Sequence, residues 1–470
     1  VELQAQANRI ARVLVEDLGL VPGNRVLLRG ANSPMLAACW LGVVKAGGIA
    51  VGTMPLLRAR ELTTIVHKAE ISHALVDARL ADELTLARPQ CPMLAQVLHF
   101  NGGDSAGLEA AAAAKQATFD NVDTAADDTC LIAFTSGTTG QPKAALHSHR
   151  DVMAACACWP PHVLRATPDD RVIGSPPLAF TFGLGGLLLF PLSIGAACVL
   201  VEKASPDALP AAVARYRATI CYTSPTAYRA MAAQLGPYDL SSLRKCVSAG
   251  EALPAATRKL WKDATGIEII DGIGSTEMLH IFISATEEQA RGGATGFVVP
   301  GYQACVLGDD GRPLPPGQVG RLAVRGPTGC KYLADERQAS YVQDGWNLTG
   351  DAYLIDPADG QFEYQARTDD MIISGGYNIA GPEVEGALLL HPAVAECGVI
   401  GVADEQRGQI IKAFVVLAPG LTGDAALVKT LQEFVKQTIA PYKYPRAIEF
   451  RASLPRTETG KLQRFKLRDG

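Results

Sequence analysis

A chain of 470 residues, 48% hydrophobic and 19% charged, reads as a globular protein with room for roughly two or three domains. Its formal net charge of −5, with no basic arm or stripe, argues against a nucleic-acid partner. Eleven cysteines at scattered spacings without a CxxC pair fit free buried thiols in a reducing compartment, and we expect a cytoplasmic protein.

The chain opens inside an amphipathic helix pattern (Leu3, Ala7, Ile10, Ala11, Leu14), with no signal-peptide pattern. A turn at Val21 to Asn24 leads to a strand, Arg25 to Leu28, and Asn32-Ser33-Pro34 starts a helix with apolar positions at Met35, Ala38, Leu41 and Val44. A strand near Gly48 to Val51, a helix near Leu57 to Ala69 and a strand at His73 to Val76 continue the rhythm of a mostly parallel sheet with helical crossovers. The Ala-rich stretch Ala106 to Ala114 is a helix or a linker.

Residues 131–150, LIAFTSGTTGQPKAALHSHR, hold the strongest local signal. An apolar strand (Leu131 to Phe134) opens into Thr135, Ser136, Gly137, Thr138, Thr139 and Gly140, followed by Lys143. Glycines allow a tight turn whose N–H groups converge, the hydroxyls add donors, and the lysine adds a mobile positive charge. This composition makes a phosphate cradle. It is not a P-loop, because Lys143 follows Pro142 and precedes Ala144, leaving no hydroxyl to hold magnesium.

Arg171 to Phe182 is a strand followed by a Pro-Pro turn and two aromatics, Phe180 and Phe182, which can line a cleft or fill a core. Residues 183–200, GLGGLLLFPLSIGAACVL, come nearest to a membrane span, but their glycines and Pro191 predict a buried strand-turn-strand. Ala218 to Tyr222 is a strand, and Ser224-Pro225-Thr226 starts a helix through Tyr228 and Met231. Two more strands lead into Ala249-Gly250-Glu251 and into Asp271-Gly272-Ile273-Gly274-Ser275-Thr276-Glu277. Each reads as strand, small residues permitting close ligand approach, then carboxylate, as expected where ligands gather beyond strand carboxyl ends.

Gly292 to about Gly360 reads as antiparallel β structure, with Thr349-Gly350-Asp351 at its close; that aspartate is a turn residue or a ligand. Arg367-Thr368-Asp369-Asp370 is a boundary. We divide the chain there into residues 1–368 and a compact α/β unit, 369–470, with Asp369 as the hinge. The tail LPRTETGK carries Lys461 on a glycine-bearing turn.

In order, TSGTTGQPK, SAGEALP, DGIGSTE, TGD, RTDDMIISGGYNI and LPRTETGK resemble the motifs of the adenylate-forming acyl-CoA synthetases. The fuller strings SPPLAFTFGLGG, PTAYRAM and DGIGSTEMLHIF are similar to benzoate and 2-aminobenzoate CoA ligases. The resemblance implies an α/β fold: a large N-terminal domain of layered sheets and helices, and a small mobile C-terminal domain. It also implies about fifty to seventy family residues ahead of Val1, in keeping with the mid-helix start.

The implied reaction joins an aromatic acid to CoA in two steps through an acyl-AMP, with ATP, Mg²⁺ and coenzyme A. In it Thr135 to Gly140 and Lys143 hold the phosphates, Glu277 brings in Mg²⁺, and Thr276 donates to the α-phosphate. Gly250, Glu251, Asp271, Gly272 and Ile273 pass along the adenine, with Ile273 where the family often carries an aromatic. Asp351 takes the ribose hydroxyls beside Arg367. Lys461 stabilises charge during the first step, after which the small domain turns about Asp369 and brings Gly375, Gly376 and Tyr377 to the CoA channel; Lys443 is a further CoA contact. Phe180, Phe182, Tyr228, Ala249, Gly274, His280 and Ile281 are the acyl-pocket candidates, with His280 either a polar contact or a packed neutral histidine. A carrier-protein adenylation domain, a synthetase for non-aromatic acids and a non-catalytic nucleotide-binding module are the alternatives, and we expect a monomer or homodimer.

Overall fold

The computed structural model describes residues 2–103, 106–135, 142–368, 370–374, 377–404, 407–456 and 461–468. Among them the strands form four sheets. The first takes β1 (Arg25–Arg29), β2 (Ile49–Thr53), β3 (His73–Asp77), β4 (Gln96–Phe100), β5 (Thr129–Thr135) and β6 (Lys143–Ser148) in the order β4-β3-β1-β2-β5-β6. It is parallel except for the β5–β6 pair, which runs antiparallel and brings Thr135 opposite Lys143. The helix Pro34–Lys45 starts where the sequence puts it, with Ser33 capping the N–H of Leu36.

The second sheet takes β7 (Arg171–Gly174), β8 (Ala197–Val199), β9 (Ile220–Thr223), β10 (Lys245–Ser248), β11 (Ile269–Gly274), β12 (Ile281–Ser284) and β13 (Phe297–Val298), ordered β13-β12-β11-β10-β9-β7-β8. The third is antiparallel: β14 (Gln303–Leu307), β15 (Gly320–Arg325), β16 (Val342–Gln343), β17 (Trp346–Ile355) and β18 (Phe362–Arg367). These sheets and their helices make the large N-terminal domain. The small C-terminal domain holds the fourth sheet: β19 (Ile372–Ser374), β20 (Tyr377–Ile379), β21 (Val394–Asp404), β22 (Gly408–Leu417) and β23 (Ala447–Phe450), packed against the helices Gly381–Leu388 and Ala425–Thr438.

Two expectations change and one open alternative is resolved. The apolar stretch after Thr181 is not strand-turn-strand: it is helical from Thr181 to Ile194 and only then enters β8. Leu184, Leu187, Leu188 and Phe190 are buried in the main core, so apolar residues on several sides of this helix are satisfied by neighbours. No described helix is long and apolar enough to cross a membrane. The Ala-rich stretch is the short helix Leu108–Ala113. Thr349-Gly350-Asp351 is no turn; it lies inside β17, and Asp351 faces Arg367 of β18 across the ladder.

A buried cation ties the first sheet to its loops. Arg29, at the end of β1, donates to the carbonyls of Met54, Pro55, Leu57 and Leu80 at 2.7 to 3.0 Å. Replacing it leaves buried acceptors without donors, so Arg29→Met is expected to cost about 3 kcal/mol, measured as a lowered urea midpoint of the first unfolding transition.

Candidate active site

Strands β9, β10 and β11 run parallel with Thr223, Ser248 and Asp271 in register. The segments leaving their carboxyl ends therefore emerge side by side: Ser224 and its helix, Ala249-Gly250-Glu251, and the stretch ending at Glu277. The last differs from the sequence reading. Asp271 to Gly274 is strand rather than loop, pairing with β10 up to Asp271 and then antiparallel with β12 from Gly272. A Cβ on Gly274 would lie 2.6 Å from the carbonyl oxygen of His280, so the glycine admits the chain's own backbone. Burial pushes Asp271 up to about 7, and its Oδ1 has no partner among the described residues.

On the phosphate side, Thr135 and Lys143 face each other at the mouth of the β5–β6 pair. Ser136, Gly137, Thr138, Thr139 and Gly140 lie outside the described residues, as do Asp369, Gly375 and Gly376. Lys143 Nζ lies 3.3 Å from Tyr332 Oη and over the rings of Tyr332 and Tyr341, 5.1 and 5.8 Å from their centroids. Tyr332 Oη donates in turn to buried Glu277. Buried His147, on β6, donates from Nε2 to the carbonyl of Thr276 at 2.8 Å and fixes the turn that carries Glu277. Burial lowers the His147 pKa and keeps the ring neutral. Sequence reasoning missed both Tyr332 and His147. For His147 the local pattern was no guide, since β6 buries Ala144, Ala145 and His147 rather than alternate residues; for Tyr332 the contact is made by a bridge between distant segments, Ala145 and Tyr332.

A second charge group forms where the two domains meet. Asp351 lies 3.3 Å from Arg367, whose guanidinium also donates to the Thr349 carbonyl at 2.9 Å. Gly350 has a left-handed backbone (φ 78°), and a Cβ there would sit 2.6 Å from the guanidinium. Only glycine lets Arg367 fold across this strand. Glu251 accepts from Thr226 at 2.7 Å and from Arg456 at 3.1 Å. Burial raises the pKa of both carboxylates, opposed at Asp351 by Arg367 and at Glu251 by Thr226 and Arg456. Lys461 reaches this group from the C-terminal domain, its Cε 3.6 Å from where a Cβ on Gly250 would be. The residue is open to solvent in the crevice, yet protein crowds its ammonium; that crowding lowers its pKa, while Glu251, Asp351 and Glu277 pull the other way.

The acyl-pocket candidates separate. Phe182, Ala249, Ile281 and Ile273 pack into the main core, and His280 stacks there on Phe182, Trp159 and Phe190 at 5.7, 5.7 and 4.5 Å between centroids. Gly274 adjoins His280 and Phe180 leads into the helix at Thr181. Tyr228 is not with them. It is buried in another cluster against Trp261, its hydroxyl donating to the carbonyls of Cys221 and Val247. The tyrosine that does join Phe182 and Trp159 is Tyr222, at 5.7 and 6.3 Å. Burial drives the His280 pKa down to about 3. Lys443 pairs with Glu383 inside the C-terminal domain at 2.6 Å, and Tyr377 opens β20 opposite Ser374.

Comparison with known proteins bears on this geometry. Residues 1–332 match the AMP-binding enzyme family and residues 383–461 match the AMP-binding enzyme C-terminal domain. The chain is 36% identical to a benzoate–CoA ligase of Thauera aromatica over 99% of its own length and 90% of the relative's. It superposes on the crystal structure of the anthranilate CoA ligase AuaEII, in complex with anthranoyl-AMP, with a TM-score of 0.95 at 37% identity, covering 99% of this chain and 91% of that one. A benzoate CoA ligase from Burkholderia xenovorans LB400 gives a TM-score of 0.91 at 32% identity, over 99% and 94%. The carboxylates, the phosphate-side lysine and the incoming Lys461 thus sit on the scaffold of enzymes that spend ATP to activate an acid for CoA, and the chain belongs to the AMP-binding enzyme family as an AMP-forming acyl-CoA synthetase, an acid–thiol ligase.

Proposed function

We propose that the acid is a small aromatic carboxylate, with 2-aminobenzoate favoured over benzoate. The observation that carries this is the polarity hidden in the aromatic cluster. Tyr222 Oη, Trp159 Nε1 and His280 Nδ1 are buried without hydrogen-bond partners among the described residues. His280 Nε2 lies 3.4 Å from the Phe182 carbonyl, which can only accept, so Nε2 carries the proton and Nδ1 keeps its lone pair. A buried acceptor among rings suits an aromatic acid with an amino group. The anthranilate and benzoate ligases similar to this chain support the same reading.

In the proposed sequence the acid's carboxylate attacks the α-phosphorus of ATP, giving acyl-AMP and pyrophosphate; the CoA thiol then attacks the acyl carbonyl, giving thioester and AMP. Thr135 and Lys143, with Ser136, Gly137, Thr138, Thr139 and Gly140, take the leaving pyrophosphate. Lys143 exchanges its contact with Tyr332 for phosphate oxygens. Thr276 donates to the α-phosphate. Glu277 offers one carboxylate, the hard oxygen donor that Mg²⁺ prefers alongside phosphate oxygens, and the ion would supply charge neutralisation there. Gly250, Glu251, Asp271, Gly272 and Ile273 border the adenine, and Asp351 accepts from the ribose. Lys461 stabilises the charge that grows during the first attack. For the second step we propose that residues 369–470 turn about Asp369, bringing Gly375, Gly376 and Tyr377 to the CoA thiol, with Lys443 as a further CoA contact.

Two measurements test this. In a panel of benzoate, 2-aminobenzoate, other substituted benzoates and medium-chain acids, 2-aminobenzoate is expected to give the highest kcat/KM; preference for a fatty acid defeats the aromatic reading. Losing the buried acceptor in His280→Leu is expected to cut the 2-aminobenzoate to benzoate ratio by about tenfold. Because His280 titrates near 3, that ratio should stay flat between about pH 5 and 9, and a step near neutrality would mean that another group reads the amine. Tyr228→Phe should lower stability by about 1 kcal/mol in urea unfolding without moving the ratio, since its hydroxyl bonds the Cys221 and Val247 carbonyls in another cluster.

A further inference from the structure

A closed circuit of contacts crosses between the two domains. It starts on the helix Pro225–Ala232, where Thr226 and Arg229 are three residues apart and share a face. Thr226 Oγ1 donates to Glu251 Oε2. The other oxygen of Glu251 accepts from Arg456 Nη1, and Arg456 Nη2 donates to Glu396 on β21 at 2.9 Å. Beside Glu396 the β21–β22 ladder shifts register between Val394 and Glu396, which frees the Ala395 carbonyl from the ladder. Arg229 closes the circuit, its Nε donating to Ala395 O at 3.1 Å and its Nη2 to Val394 O at 3.2 Å. The same Nη2 lies 3.5 Å from the carbonyl of Leu389, which caps the helix Gly381–Leu388, so a cation meets a helix C-terminus.

The circuit is tied to the chemistry through one antiparallel bridge. Arg456 is bridge-paired with Leu462, the residue after Lys461. Fixing Arg456 between Glu251 and Glu396 therefore fixes Leu462 across the bridge and, with it, the neighbouring Lys461. We infer that Arg229 is a positioning residue: it holds the Val394–Glu396 segment against the helix Pro225–Ala232 so that Lys461 enters the crevice in the pose for acyl-AMP formation. This rests on the role proposed above for Lys461. Turning the C-terminal domain for the second step has to open the circuit, so the arginine favours one half-reaction only. Backbone carbonyls are the right acceptors for such a contact, since they carry no net charge and release the guanidinium at less cost than a carboxylate.

The test measures the half-reactions apart, with 2-aminobenzoate, or with benzoate if that is the acid turned over. Adenylate formation is read as pyrophosphate released in single turnover without CoA, and transfer as thioester formed from supplied acyl-AMP and CoA. Arg229→Ala is expected to slow adenylate formation about tenfold, the worth of a few charge-assisted hydrogen bonds, with KM for ATP and acid unchanged and transfer undiminished. Arg229→Lys should recover part of the loss, since an ammonium donates to carbonyls without the fork that spans two of them. Undiminished transfer also reports an intact fold. An equal fall in both half-reactions, or no fall in the first, overturns the proposal. Lys461→Ala run alongside separates the two readings: adenylate formation surviving in that variant defeats the lysine's role, whereas loss there with Arg229→Ala unaffected defeats the arginine's.

Discussion

Two half-buried carboxylates from the large domain and one lysine from the small domain form the interaction on which the rest depends. Glu251 and Asp351 both have pKa values raised by burial, so the crevice disfavours their charge unless a donor or cation stands close. From its own domain Glu251 has Thr226, and Asp351 has Arg367 and Thr349. Lys461 and Arg456 complete the group from the other domain. Seating the C-terminal domain thus brings two cations to carboxylates whose charge burial disfavours. In the function proposed above, ribose hydroxyls would donate to Asp351 without bringing charge. On that proposal, domain pose and ligand contact would act on the same carboxylates.

Much of this was legible in the chain. The alternating strands and helices of the first sheet, the N-cap at Ser33 and the C-terminal α/β unit follow from local pattern, because each element's burial repeats with its own period. The helix from Thr181 to Ile194 was misread for the complementary reason. Its residues are apolar almost all round, and an element buried on every side loses the periodicity that separates helix from strand. Tyr228 was placed in the wrong cluster on similar grounds. Strands β9 and β10 are covered on both faces, so composition cannot say which layer a nearby aromatic joins, and Tyr222 holds the place assigned to Tyr228. Tyr332 and Arg229 act across 55 and 166 residues of sequence, on Glu277 and Ala395, where no local pattern reaches.

In the proposed mechanism, selecting the acid and setting the domain pose use different parts of the molecule. The aromatic cluster of Trp159, Phe182, Tyr222 and His280 belongs to the main core, rigid and largely dry, where an unmet polar atom penalises a ligand that cannot answer it. The contacts between domains are half-exposed guanidinium contacts with carboxylates and carbonyls, which water can replace. The first is suited to discrimination and the second to reversible motion. A synthetase that must choose one acid and then adopt two poses needs both, and needs them not to interfere.

The helix Pro225–Ala232 shows how that separation is built. Its inward face carries Tyr228 and Met231, fully buried, with Tyr228 stacked edge-on against Trp261 and its hydroxyl spanning the carbonyls of Cys221 and Val247 on β9 and β10. Its outward face carries Thr226 and Arg229, which meet the C-terminal domain through Glu251 and the Val394–Ala395 carbonyls. Arg229 can position a domain only if its own helix does not yield, and the two tyrosine hydrogen bonds pin that helix to the central strands. Tyr228, buried in a separate cluster, is thereby mechanically connected to Lys461 through one short helix and one bulged strand.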